Sequence, residues 1–184
     1  MLTLFAIPKP FKGHIGIIQR NAIQSWKLIC PECEIILVGN DEGTAEVASE
    51  MGLRHVPDIA TNQHGTPLVS GIFQAAQRLA SNDILGYVNA DIMLTGDFIQ
   101  AVDQVISISD RFLMVGQRWD VDIKTPWDFD TAGWESRLQE FVKERGTLHP
   151  KTGMDFFVFP RELYETVPPF AIGRTAWDNW LVAH

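Results

Sequence analysis

Residues 84–91 read Ile84-Leu85-Gly86-Tyr87-Val88-Asn89-Ala90-Asp91. An apolar run of this length, with no polar alternation, is what a strand buried on both faces needs. It ends directly in an amide and an acid. An acid behind a buried strand has to be paired, solvated in a cleft or bound to a cation. The plainer role for Asp91 is a turn or helix cap, so the surrounding chain has to decide.

The same grammar extends in both directions. Short apolar runs predict strands near residues 2–7, closed by Pro8, and at 34–38, 53–56, 112–115 and 156–159. Between them apolar residues recur at helical spacing: Ile15, Ile18, Ala22, Trp26 and Ile29 form one stripe, and Phe98, Ala101, Val102 and Val105 another. A short helix is predicted over 44–51 with Gly52 as its stop, and another over 134–145 stopped by Gly146. Thr66-Pro67 reads as N-cap and first helical residue of a helix carrying Val69, Ile72, Phe73, Ala76 and Leu79 inward. The segment from Arg174 onward also reads as helix. Residues 119–133 are aromatic and acidic without periodicity, as in a functional or covering loop. Strand–helix alternation through the first 115 residues predicts βαβ units, hence an α/β fold: a Rossmann-like, mostly parallel sheet flanked by helices.

Composition bounds the rest. The chain has 184 residues, with 15 Lys+Arg against 23 Asp+Glu and a net charge of −8. One domain over 1–184 is expected, and 46% hydrophobic residues are enough for a core. The acidic balance argues against a nucleic-acid or anionic-membrane binder. No apolar run reaches the ~18 residues of a membrane span, and residues 1–8 lack a signal peptide's basic start. A cytoplasmic location is the expectation. The two cysteines form Cys30-Pro31-Glu32-Cys33. A redox pair sits where a strand enters a helix, and zinc needs two further ligands. Here a helix precedes the pair and a strand follows it, so they read as ordinary turn or core cysteines.

In parallel sheets ligands sit beyond the carboxyl ends of strands, which directs attention to four turns. Pro8 and Lys12 follow the first strand, where a lysine can meet phosphate. Asn40 and Asp41 follow the second, where a carboxylate can accept hydrogen bonds from ribose hydroxyls, or simply favour the turn. His64 and Thr66 precede the third helix, whose N-terminus favours an anion. Asn89 and Asp91 follow the fourth strand, where a divalent cation would bridge Asp91 to a diphosphate. The chain lacks a G-x-G-x-x-G after its first strand, a P-loop and a G-x-S-x-G elbow.

Five segments now resemble a known family. They are Phe11-Lys12-Gly13-His14 with Gln19-Arg20-Asn21-Ala22 through Ser25-Trp26, Ile36-Leu37-Val38-Gly39-Asn40-Asp41, Tyr87-Val88-Asn89-Ala90-Asp91, Gly153-Met154-Asp155-Phe156-Phe157-Val158-Phe159-Pro160, and the closing Gly173-Arg174-Thr175-Ala176-Trp177-Asp178-Asn179-Trp180. Together they look like a GT-A-fold nucleotide-sugar glycosyltransferase, most similar to small family-two-like bacterial and plant members. The resemblance implies that 1–115 holds a nucleoside-diphosphate sugar and 116–184 meets an acceptor whose identity stays open. It implies Asp41 at the base or ribose, and Asn89 and Asp91 where the family's D-x-D motif holds Mn²⁺ or Mg²⁺. Asn89 departs from that motif, having an amide where the first acid stands. Literal D-x-D occurs instead at Asp120-Val121-Asp122 and Asp128-Phe129-Asp130, inside the aromatic loop.

An inverting transfer also needs a base. Asp155, before an apolar strand, and Asp178, between Trp177 and Trp180, are the candidates; Arg174 is placed to pair with phosphate or Asp178. The chain ends at Ala183-His184 inside the expected last helix, which reads as a truncated chain or a short member lacking acceptor-side elements. Two other functions share such a sheet. A sugar-1-phosphate nucleotidyltransferase normally carries a Gly-rich basic loop after the first strand, and here that loop is Pro8-Lys9-Pro10-Phe11-Lys12-Gly13. A GT-A-like binding module without activity is the other, consistent with Asn89.

Overall fold

A computed structural model describes residues 1–174 and 177–184. The first half alternates as β1 (Leu2–Ala6), α1 (Gly13–Ile29), β2 (Glu34–Val38), α2 (Thr44–Met51), β3 (Arg54–Val56), α3 (Val69–Leu79), β4 (Ile84–Val88) and α4 (Gly96–Ile108). The second half adds β5 (Met114–Val115), β6 (Trp119–Asp120), α5 (Trp134–Arg145), β7 (Thr147–Leu148), β8 (Phe156–Pro160) and α6 (Trp177–Ala183). Six strands form one sheet in the order β3-β2-β1-β4-β8-β5, and β6 pairs with β7 in a separate ribbon. β1 pairs in parallel with β2 and β4, and β2 with β3, while β8 runs antiparallel between β4 and β5.

The mostly parallel sheet follows from sequence because its central strands are buried on both faces. Every residue of β1 is buried. Leu2, Leu4 and Ala6 pack with Ala22, Ile23 and Trp26 of α1, Val47 of α2 and Phe98 of α4. Phe5 points the other way, into Ile72 and Phe73 of α3, Tyr87, Phe159 and Leu181 of α6. The Phe5 and Phe73 rings meet edge to face at 5.3 Å. From β1 the chain steps outward through β2 to β3, then α3 returns it across the opposite face to β4 on β1's other side. The winding therefore reverses between β1 and β4, the place where open α/β sheets bind ligands.

Local chemistry sets several boundaries as expected. Gly52 ends α2 in the left-handed region at φ 66°, returning its N–H to Ala48 and Ser49. The start of α3 is a correction. Thr66 and Pro67 do not cap it; the helix begins at Val69, after an extended Leu68. Leu68 donates its N–H to the Ala60 carbonyl at 2.9 Å and Val69 donates to Phe170 at 2.8 Å. These tertiary backbone bonds hold the segment extended for one more turn.

The cysteines are a second correction. A turn with Cys33 N–H donating to the Cys30 carbonyl at 3.0 Å brings their Cα atoms to 5.3 Å, and the two are joined in a disulfide. They occupy a half-buried turn, as expected, but not as unlinked thiols. Thr175 and Ala176, which the sequence reading puts in the last helix, lie outside the described residues. Among the described residues no helix is long and apolar enough to cross a membrane.

Candidate active site

Buried side chains of α1 arrange the loops at the carboxyl edge of the sheet. Buried Gln19 clamps the turn after β1, accepting the Lys9 N–H at 2.7 Å and donating to the Lys9 carbonyl at 2.8 Å. Buried Asn21 does the same for the aromatic loop, donating to the Thr125 carbonyl at 3.1 Å and accepting the Trp127 N–H at 2.9 Å. Ser25 accepts the Leu94 N–H, and the Trp26 indole donates to the Ile92 carbonyl, at 3.0 and 2.8 Å. Three loops distant in sequence are thus referenced to one rigid helix, each through buried groups that would be costly to leave unpaired.

These loops enclose a cavity of about 1080 Å³, lined by Lys9 after β1, Asn89 and Asp91 after β4, and Asp155 before β8. Asp155 is the buried acid of the site, 5% exposed. Its Oδ1 accepts the Asn89 amide at 2.8 Å and its Oδ2 accepts Arg118 at 2.5 Å. The Asn89 Oδ1 in turn accepts the Tyr87 hydroxyl at 3.0 Å. Arg118 Nε donates to Asp120 at 2.7 Å, and Asp120 meets His149 Nδ1 at 2.6 Å. A continuous polar chain therefore runs from Tyr87 inside the core to His149 on the β6–β7 ribbon.

The charges of this chain support one another. Burial works against the Arg118 cation, but its hydrogen bonds to Asp155 and then Asp120 outweigh it, and the guanidinium stays firmly protonated. Arg118 first, and His149 second, hold the Asp120 carboxyl below its ordinary value. Burial, followed by the nearby Asp91 and Asp155 carboxylates, pushes the Tyr87 phenol far above its usual range.

The expected site residues separate into two groups. Asn89, Asp91 and Asp155 come together on the cavity wall. Pro8, Lys12, Asn40, Asp41 and Asp178 do not line it. Lys12 is ion-paired with Glu42 at 2.5 Å, and the Phe11 N–H donates to the Glu42 carbonyl, so the turns after β1 and β2 are fastened together. Asp41 and Asn40 are exposed on that fastened edge. Asp178 accepts the N–H of its neighbour Asn179 at 2.9 Å, in the first turn of α6. Trp177 is a core anchor, 5.4 Å from the Tyr87 ring. His64 and Thr66 are drawn onto Asn62, whose side chain accepts both their N–H groups. Asp128 accepts the Asp130 and Thr131 N–H groups, as a loop acid does.

Arg118 and His149 were missing from the sequence reading. Each lies beside a strand of only two residues, which carries no alternation to mark it. The one signal was Asp120-Val121-Asp122, whose first acid does join the site.

The donor set bears directly on a metal. Asn89 turns its amide onto Asp155 and its oxygen onto the Tyr87 hydroxyl. Asp155 and Asp120 are occupied by Arg118. Among the described residues no group of three or more His, Cys, Asp or Glu is placed to hold a metal ion. Asp91 is exposed, and Mg²⁺ in phosphate sites needs only one or two carboxylates, so a site of that kind is compatible with this lining.

No family model matches the chain, and no curated protein is similar to it in sequence. Its fold does recur among solved structures. A candidate nucleotide-diphospho-sugar transferase from Desulfovibrio desulfuricans G20 superposes at a TM-score of 0.51 and 8% identity, over 89% of this chain and 64% of that one. A CMP:2-keto-3-deoxy-manno-octonic acid synthetase complexed with CTP gives 0.50 at 11% identity, over 99% and 84%. The S. aureus TarS 1-349 structure gives 0.45 at 12% identity, over 61% of this chain and 34% of that one. The chain thus spans about a third of the TarS chain and less than two thirds of the Desulfovibrio one. The sheet order, the switch point and the likenesses to the Desulfovibrio and CTP-bound structures show the fold: a GT-A-type fold, like that of nucleotide-diphospho-sugar transferases.

Proposed function

We propose that this chain transfers a sugar from a nucleoside-diphosphate donor to an acceptor hydroxyl. The observation that carries the reading is the meeting of Asn89, Asp91 and the buried Asp155 on one cavity wall at the switch point between β1 and β4. In the reaction the acceptor oxygen bonds to the anomeric carbon, the bond from that carbon to the diphosphate breaks, and the nucleoside diphosphate leaves. An inverting transfer hands the acceptor proton to a carboxylate. Asp155 is the acid we assign to it, because it lines the cavity and Asp178 does not. Asn89 and Arg118 fix the orientation of that carboxylate, and each of its oxygens retains an unused lone pair. Asp91 is the residue that would hold Mn²⁺ or Mg²⁺ entering with the diphosphate, and such an ion neutralises charge on the leaving group.

Calorimetry with UDP and GDP, with and without Mn²⁺, tests the reading on the wild type and Asp91→Ala. A nucleoside diphosphate binds the wild type, at least tenfold more tightly with Mn²⁺, and Asp91→Ala loses that gain. Absence of nucleotide binding in every arm would overturn the proposal. A second reading, nucleotidyl transfer, is favoured by the likeness to the CTP-bound synthetase, whose chain is 84% covered. Against it stands the first loop, whose Lys12 is already committed to Glu42. Pyrophosphate release from a nucleoside triphosphate and a sugar phosphate would transfer support to it.

A further inference from the structure

Of the chain's six tryptophans, Trp119 alone is exposed among the described residues, at 52%. It stands on β6 and lines the cavity of the candidate active site. Its cross-strand partner is Leu148, 46% exposed, so the two make an apolar strip on one face of the ribbon. The strip does not depend on a ligand for its position. His149 donates its N–H to the Arg118 carbonyl at 2.9 Å, the Arg118 side chain ties the ribbon to Asp155, and Asp120 meets His149. With the ribbon held, only the two side-chain torsions of the indole remain to be ordered when something settles on it.

The surroundings define what that something is. A flat aromatic face beside hydrogen-bonding side chains suits the C–H face of a pyranose ring whose hydroxyls reach outward. Gln117 and Gln139 line the same cavity and supply neutral polar groups. Four carboxylates line it against two lysines and one arginine, and that arginine is already shared by Asp155 and Asp120. An anionic ligand that brings no cation of its own would meet that surplus of negative charge and, beside a bound diphosphate, more of it.

We propose that the β6 wall is an acceptor subsite and that its ligand is an uncharged oligosaccharide stacked on Trp119. This rests on the glycosyl-transfer reading above, and its test separates the two. Saturation-transfer NMR on the full chain uses three neutral probes, maltotriose, cellotriose and tri-N-acetylchitotriose, and one anionic probe, trigalacturonate. At least one neutral probe binds the wild type and trigalacturonate does not. Trp119→Ala weakens that binding at least tenfold, and Trp119→Phe recovers most of it. Calorimetric nucleotide binding by both variants stays within twofold of wild type, which also shows that they are folded. Binding of no neutral probe, preference for trigalacturonate, or indifference to Trp119→Ala each overturns the subsite. If nucleotides bind while every saccharide fails, only the subsite falls. If a saccharide binds through Trp119 while no nucleotide does, the transferase reading falls and a carbohydrate-binding site remains.

Discussion

Asn89 gives its amide hydrogen to Asp155 at 2.8 Å, and its backbone N–H donates to the carbonyl of the same residue at the same distance. The two residues are 66 positions apart, one directly after β4 and the other directly before β8, its antiparallel neighbour. The relationship gives the amide a physical role at the position where the D-x-D motif of the resembled family has its first acid. Asp155 needs a donor at this point, and an aspartate has none at neutral pH. An acid at position 89 would instead set two carboxylates against each other in a largely buried place.

Asn89→Asp therefore does not restore a metal site; it breaks this one. The variant loses a hydrogen bond to a buried charge and adds a like charge, a cost of about 2–3 kcal/mol. Urea denaturation reads it as a lower midpoint at unchanged slope. A variant as stable as the wild type would mean that Asn89 does not orient Asp155.

Gln19 offers a test of how the nucleotide side of the cavity is positioned. Gln19→Leu keeps the packing volume but leaves both backbone groups of Lys9 without their partner. Lys9 is on the exposed side of the clamp, so water recovers part of the loss, and about 1–3 kcal/mol of stability is expected to go. Nucleoside-diphosphate affinity falls with it, because the loop after β1 is no longer referenced to α1. Parallel urea and calorimetric titrations measure both. Full stability with full affinity would leave the clamp without a purpose.

The disulfide predicts the opposite separation. Cys30 and Cys33 enclose a very short loop, so their bond removes little freedom from the unfolded chain, about 2 kcal/mol or less. They sit before β2, at the amino edge of the sheet, away from the cavity. The double replacement Cys30→Ser with Cys33→Ser lowers the urea midpoint modestly and leaves nucleotide affinity unchanged. Alkylation of the untreated chain finds no reactive thiol until a reductant is added.

Much of this was legible because burial on both faces leaves an unambiguous mark. Ile84–Val88 has no charged residue, and Glu34–Val38 is apolar after its leading acid, so they and the turns after them stood out. That placed Asn89 and Asp91 correctly beyond a strand. What remained hidden depends on tertiary partners. Thr66-Pro67 has local helix-start chemistry, but Ala60 and Phe170 compete for the backbone and win. Arg118 and His149 are brought together by a two-residue ribbon too short to show a period. Asp178 has the aromatic neighbours of a sugar-binding acid, yet Trp177 faces the core and the carboxylate caps its own helix turn.

The core also makes a prediction for alkaline pH, because the chain has only two tyrosines, Tyr87 and Tyr164, and both ionise late. Burial pushes the Tyr164 phenol up to about 12, with its hydroxyl donating to the Leu181 carbonyl at 2.6 Å. Burial and then the Asp91 and Asp155 carboxylates raise Tyr87 further. In the unfolded chain both titrate near ~10. A phenol whose folded pKa is raised contributes stability that is fully present below the unfolded value and lost as pH climbs towards the folded one. Above about pH 10 the unfolded state therefore releases protons that the folded state keeps, and stability falls. Ultraviolet titration at about pH 11 should find little tyrosinate in the native chain and mostly tyrosinate in urea, since ~10 is the unfolded midpoint. Tyr87→Phe removes the larger share of this alkaline sensitivity, while freeing the Asn89 oxygen of its donor. Half-ionised tyrosine near pH 10 in a chain still folded by circular dichroism would show that the end of β4 is open to water, contrary to a Tyr87 that is 2% exposed.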